Sequence, residues 1–250
     1  MGHLFTIIFY QPILNLLIFL YNTVSFRDLG VAIILLTAII KIILWPLGRT
    51  ALKSQKALQD LQPKLEELKK KYTDKTELSR ATMEMYKENK VNPFSSCLPL
   101  LIQLPFLIAV YRVFRDGVDN KLTLVYSFIA RPETINLMSF GFLNLAKPNV
   151  YLAFLAGLAQ FWQAKMMITT RPVVKTPGAQ DENMAAIMNK QMLYFMPALT
   201  IFIGLSLPGG LTLYWFVLTL FTAVQQLITF RKKTTPGNQG SQTIEGSIVK

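Results

Sequence analysis

The chain has 250 residues, of which 52% are hydrophobic and only 16% charged, and its mean hydropathy is positive. That balance argues against a soluble domain and for an integral membrane protein. The formal net charge of +12 could suggest nucleic acid, but the cations gather in particular connections, as membrane topology demands, so no specific nucleic-acid recognition is expected.

The first apolar stretch, Leu4–Val24, is interrupted by Gln11, Pro12, Asn15 and Asn22. We read it as a helix lying at the membrane surface, within a unit of residues 1–26, with a further crossing as the alternative. No cationic region precedes it and no small-x-small cleavage site follows it, so it does not read as a secretory signal.

The next run, Gly30–Leu47, is of membrane length and carries a lysine, Lys41. A cation at the centre of a crossing costs about 2.5–3.5 kcal/mol on insertion scales, so it normally faces water, a partner or a cavity. The bland alternative is snorkelling: Leu47 is only about 9 Å further along a helix, within reach of much of a lysine stem. Thr37 lies one turn before Lys41 on the same face.

Residues 27–48 are expected to form the first core crossing and residues 49–92 an antiparallel helical hairpin. In the hairpin Leu58, Leu61, Leu65, Leu68 and Tyr72 recur at spacings of three and four, an apolar seam. Pro63 kinks or restarts the first helix, and Asp74 with Glu77 resembles a capping box opening the second.

Four more crossings follow: Ser95–Phe114 in unit 93–115, Val150–Met167 in unit 149–168, then Gln191–Leu205 and Leu211–Phe230 in unit 191–230. Pro208-Gly209-Gly210 marks a tight reversal between the last two. The remaining units are connections: 116–148 outside, 169–190 inside, and a short basic tail at 231–250. With the hairpin placed in the cytoplasm and the sides alternating, nineteen Lys and Arg fall inside and six outside. The expected orientation therefore has the N-terminus outside and the C-terminus in the cytoplasm.

Neutral polar residues recur at membrane depth: Gln103, Gln160, Gln163, Thr200, Thr212, Thr219, Thr222, Gln225 and Gln226. For any one of them an interhelical hydrogen bond is the simplest account, and Gln225-Gln226 is placed near the cytoplasmic interface, where solvation suffices. No Asp or Glu lies deep in a crossing to pair with Lys41, which suggests a wet cavity rather than a dry ion pair. With one histidine, His3, and one cysteine, Cys97, there is no basis for a His/Cys metal site or an internal disulfide. Catalytic motifs are absent, so neither an enzyme nor a cofactor is expected.

Several stretches together resemble the YidC-type membrane protein insertase family of bacteria. They are the lysine helix running into Trp45-Pro46-Leu47, then Leu58-Gln59-Asp60-Leu61-Gln62-Pro63-Lys64, and Asn92-Pro93-Phe94-Ser95-Ser96-Cys97-Leu98-Pro99-Leu100-Leu101-Ile102-Gln103-Leu104-Pro105. Further on come Met192-Leu193-Tyr194-Phe195-Met196-Pro197, Leu207-Pro208-Gly209-Gly210-Leu211-Thr212-Leu213-Tyr214-Trp215, and Gln225-Gln226. The likeness is collinear across most of Gln11–Lys232.

The resemblance implies an all-α integral membrane protein of the bacterial cytoplasmic (inner) membrane. It has a five-helix transmembrane core, a cytoplasmic antiparallel helical hairpin and an N-terminal interfacial helix. It also implies a hydrophilic groove open to cytoplasm and lipid but closed toward the outside. Lys41 stands where the family usually has arginine; on our own reading of the residues, Thr37, Gln103, Gln163 and Trp215 are expected to line the groove with it. Arginine offers a planar fork of donors and holds its charge almost anywhere, whereas a lysine ammonium depends more on its surroundings. The implied partners are nascent membrane-protein chains and the lipid bilayer, with a ribosome and a Sec-type translocon as further candidates; the short tail argues against strong ribosome binding. A small-solute transporter or channel is the alternative, but no internal repeat favours it. A purely structural assembly factor would need no groove cation.

Overall fold

The computed structural model describes residues 3–92, 98–115, 123–167 and 191–231, and its described residues are mostly helical. Cys97, the loop 169–190 and the tail beyond Arg231 lie outside the described residues, as does part of the connection 116–148.

Prolines set where several helices change course. Helix α1 (His3–Thr23) contains a π-helical segment at Thr6–Tyr10, just before Pro12. Helix α8 (Gln191–Gly204) repeats the device, with a π segment at Gln191–Phe195 just before Pro197. Widening the preceding turn accommodates a ring that cannot donate a hydrogen bond and crowds the carbonyl four residues back.

Helix α2 (Leu29–Ile43) stops earlier than the apolar run, which continues to Leu47. Pro46 cannot extend it; the chain breaks at Leu44 and restarts as α3 (Trp45–Asp60), with a bend of 71° between α2 and the run Trp45–Lys71. Lys41 therefore sits in the last turn of α2, next to an elbow, and not in the middle of a straight crossing. A second break at Leu61 lets α4 (Gln62–Lys71) start with Pro63 in its first turn, where a missing N–H costs nothing.

Helix α5 (Lys75–Glu88) is capped by Asp74, whose carboxylate accepts from the Glu77 N–H at 3.0 Å. It folds back on α4: Leu68 and Tyr72 face Ala81 and Met85, and Lys64 Nζ donates to Asn89 Oδ1 at 3.3 Å. The pair is an antiparallel hairpin whose exposed faces are charged.

The other elements are α6 (Leu98–Arg115), a short hairpin of β1 (Met138–Ser139) and β2 (Leu143–Asn144), α7 (Val150–Met167) and α9 (Gly209–Arg231). One end of the bundle is tightly capped. Asp28 Oδ1 accepts from Gly30 N at 2.8 Å and Val31 N at 3.1 Å, opening α2, and its two oxygens also take the Ser139 hydroxyl and, at 2.6 Å, the Phe140 N–H. Burial works to raise the Asp28 pKa, but these four bonds outweigh it and hold the carboxyl below its ordinary value.

At the same end Gly209 N donates to Lys147 O and Gly210 N to Leu145 O, both at 2.9 Å. A side chain would not fit at this glycine pair: a Cβ on Gly209 would lie 3.0 Å from two carbonyl oxygens, and one on Gly210 2.2 Å from the Phe114 ring. Helices α2, α7 and α9 run away from this capped end, and α6 and α8 run toward it. Small residues Ala153, Ala156 and Gly157 let α7 lie close against α8.

Helix α1 is 21 residues long and apolar enough to cross a membrane by length and composition, as is α9; the bent α2–α3 pair would make a third, while the apolar parts of α6 and α8 are shorter. The packing of α1 is informative. Its last turn leads directly into the Asp28 cap. Near its start, Phe5 lies under Arg112 at 5.2 Å, and Phe9 meets Phe106 edge-on at 5.9 Å. Arg112 belongs to the end of α6 that abuts Gly210, so both ends of α1 adjoin the capped end. Gln11 and Asn15 hold the segment after α6 along α1, both donating to Leu124 O at 3.1 Å, with Asn15 Oδ1 accepting from Tyr126 N at 2.7 Å.

Candidate functional site

The capped half of the bundle has a largely apolar core. Leu29, Ala32, Ile33 and Leu36 of α2 are almost fully buried together with Leu14, Leu17, Ile18 and Val113. Polar side chains take over toward the elbow, and α9 carries most of them.

Lys41 is half-buried, and its Nζ donates to Thr222 Oγ1 of α9 at 2.7 Å. Thr222 accepts through an oxygen lone pair and donates its own proton to Leu218 O at 2.8 Å. The ammonium thus has a neutral partner and keeps two further donors. Two turns earlier on α9, Tyr214 is fully buried and its hydroxyl accepts from Gln103 Nε2 of α6. Lys41 and Gln103 therefore address the same helix about 12 Å apart along its axis.

Trp215 is half-buried on α9 and, seven residues before Thr222, shares its face. Gln163 is half-buried on α7, which packs along α9. Thr37 is wholly buried, and its hydroxyl donates to Ile33 O at 2.7 Å. Neither Thr37 nor Gln163 is in hydrogen-bond contact with Lys41 among the described residues.

Sequence reasoning missed two residues and misjudged two more. Thr222 was one of several intramembrane polar residues and nothing singled it out as the lysine's partner. Tyr214 stands in the reversal motif beside Trp215, but its pairing with Gln103 depends on how two distant helices meet. Gln225 and Gln226 are not solvated at an interface: they are 2% and 1% exposed. Gln225 Nε2 donates to Trp45 O at 2.9 Å, whereas among the described residues Gln226 Oε1 and Thr229 Oγ1 are buried without a hydrogen-bond partner. The elbow half of α9 thus carries a buried polar stripe packed against the rest of the bundle, next to the half-buried Lys41–Thr222 pair.

The family model described as "60Kd inner membrane protein" matches residues 19–236. The chain belongs to that family. It is 36% identical over 228 residues to the membrane protein insertase YidC of Fusobacterium nucleatum, covering 89% of this chain and 97% of that one. The YidC of Oceanobacillus iheyensis is 34% identical over 204 residues, with 80% and 73% covered. The YidC of Syntrophus aciditrophicus is 36% identical over 217 residues, 86% of this chain but only 35% of that one. Family members thus differ greatly in length. Among solved structures, an active YidC insertase with its first transmembrane domain resolved matches with a TM-score of 0.55 and 26% identity, over 94% of this chain and 47% of that chain.

Proposed function

We propose that the chain acts as a membrane protein insertase, as its relatives are named, and that Lys41 is the cation of a hydrophilic intramembrane groove. The observation that carries this is the Lys41–Thr222 contact. A lysine held against a neutral hydroxyl, with no carboxylate described beside it, keeps an uncompensated charge beside the polar stripe of α9. In a low-dielectric setting such a charge attracts an acidic or polar segment strongly.

The mechanism needs no covalent step. A short polar segment of a newly made protein enters from the elbow side, and Lys41 with Gln103, Gln163 and Trp215 replaces part of its lost hydration. Its apolar helix then passes into lipid. The capped half, with its largely apolar core, closes the groove on the other side, so the polar path is shorter than the bilayer.

The topology we infer has α2, α6, α7, α8 and α9 as five crossings, with the Asp28 end outside and the α4–α5 hairpin and C-terminus in the cytoplasm. Alternating helix directions and the distribution of Lys and Arg support it. Helix α1 lies in the outer interface: a crossing would place its start at the opposite end from Arg112, yet Phe5 packs beneath that residue. The hairpin then offers a cytoplasmic surface for targeting partners, with the ribosome and a Sec-type translocon as candidates.

The test is reconstitution in liposomes with a single-crossing client bearing an acidic translocated tail. Insertion without solute flux supports the proposal, and equal insertion by wild type and Lys41→Ala overturns the role of the charge.

A further inference from the structure

The 71° bend between α2 and the run that follows turns on one residue, Leu44, whose backbone (φ −84°, ψ 4°) belongs to neither helix. A one-residue hinge is soft unless something outside it holds the angle. Here the neighbouring helix does. Gln225, 2% exposed on α9, reaches across to donate to the Trp45 carbonyl at 2.9 Å. Its amide lies flat on Gly48: a Cβ there would sit 2.9 Å from both Nε2 and Oε1. Two turns further along α3, Lys56 Nζ stands 5.6 Å from the Phe230 ring of α9. Helix α3 thus lies along α9, and the contact nearest the hinge is the Gln225 amide, one turn past the Thr222 that holds Lys41.

We infer that Gln225 is a positioning residue. With Gly48 it clamps the elbow between α2 and α3, and so sets the direction in which the α4–α5 hairpin leaves the lysine-bearing helix. Both halves of the clamp are needed. The amide supplies a hydrogen bond from α9 to the Trp45 carbonyl beside the hinge, and the absent side chain at residue 48 lets it come that close. A methyl at 48 would not disrupt the bundle, because the amide ends a flexible side chain and can swing away. In doing so it gives up Trp45. The functional consequence, a hairpin aimed at the groove mouth, rests on the proposed function, but the clamp itself does not.

The test is a distance measurement with no client present. Nitroxides at exposed positions Thr76 of the hairpin and Phe202 of α8 are placed in a Cys97→Ser background in nanodiscs, with a Phe154–Phe202 pair reporting the bundle. One narrow Thr76–Phe202 distribution is expected. Gly48→Ala and Gln225→Met, a swap of similar volume, should each broaden it while the bundle pair stays narrow. The double variant should be no broader than the broader single variant, since both remove the same contact. The clamp is overturned if either single variant keeps the wild-type distribution, or if their effects add. Should one variant fail to accumulate, the other measures the clamp by the same criterion.

Discussion

Lys41 Nζ and Thr222 Oγ1 lie 2.7 Å apart although 181 residues separate them, and the hydroxyl accepts from the ammonium while donating its own proton to Leu218 O. The ammonium is held in place without being neutralised. A carboxylate at the same distance would bind the lysine more tightly and leave little charge for a passing segment.

Charge at residue 41 should therefore track activity. Lys41→Arg should insert acidic-tailed clients about as well as wild type, Lys41→Ala less well, and Lys41→Glu worst, because it repels the tail. Clients with neutral tails should respond least. A reconstituted insertion assay on paired clients measures the order.

Thr222→Val removes the acceptor and keeps the shape, whereas Thr222→Ser keeps the acceptor. A hydrogen bond to a charged group contributes about 1.5–3 kcal/mol, part of which water can replace. Thr222→Val should lower insertion in the same assay, and Thr222→Ser should not.

Tyr214→Phe leaves the part-buried Gln103 amide without its acceptor, a loss of at most about 1–3 kcal/mol, part of which water can replace. The melting temperature in detergent should fall. Adding Gln103→Leu should recover most of that fall, because no polar group is then left unpaired, while insertion stays impaired if Gln103 lines the groove.

Asp28 caps α2 and grips the turn of the β1–β2 hairpin, so Asp28→Ala should cost about 1 kcal/mol in thermal stability, as cap removal usually does. Its carboxyl is held below its ordinary value of 3.8. The contribution is thus complete above that value and is lost as pH falls through the lower, folded-state value. Wild type and Asp28→Ala should differ fully at neutral pH and converge only in strong acid.

Helix α1 offers a test of topology. Single cysteines at Leu4 and Thr23, in a Cys97→Ser background, should both react with a membrane-impermeant thiol reagent added outside. Labelling of the Leu4 position from the inside alone would make α1 a crossing.

How far the chain could be read from its residues differs from one part to another. The helical character, the Asp74 cap, the restart at Pro63 and the reversal at Pro208-Gly209-Gly210 were legible, because each is a local matter of backbone sterics and hydrogen-bonding groups within a few residues. The family was legible too, since its motifs recur in order along the chain. The end of α2 was not: its apolar run continues to Leu47, and hydropathy does not register the break that Pro46 imposes at Leu44.

By itself, then, the sequence determined the membrane-type composition, the cation bias, the family and the presence of a lysine within an apolar run. Tertiary structure decided what those residues do. That Lys41 meets Thr222, that Gln103 meets Tyr214, and that Gln225 is buried against the elbow all depend on how α2, α6 and α9 cross. No local periodicity carries that information, because each partner lies more than a hundred residues away and is chosen by side-chain packing between helices.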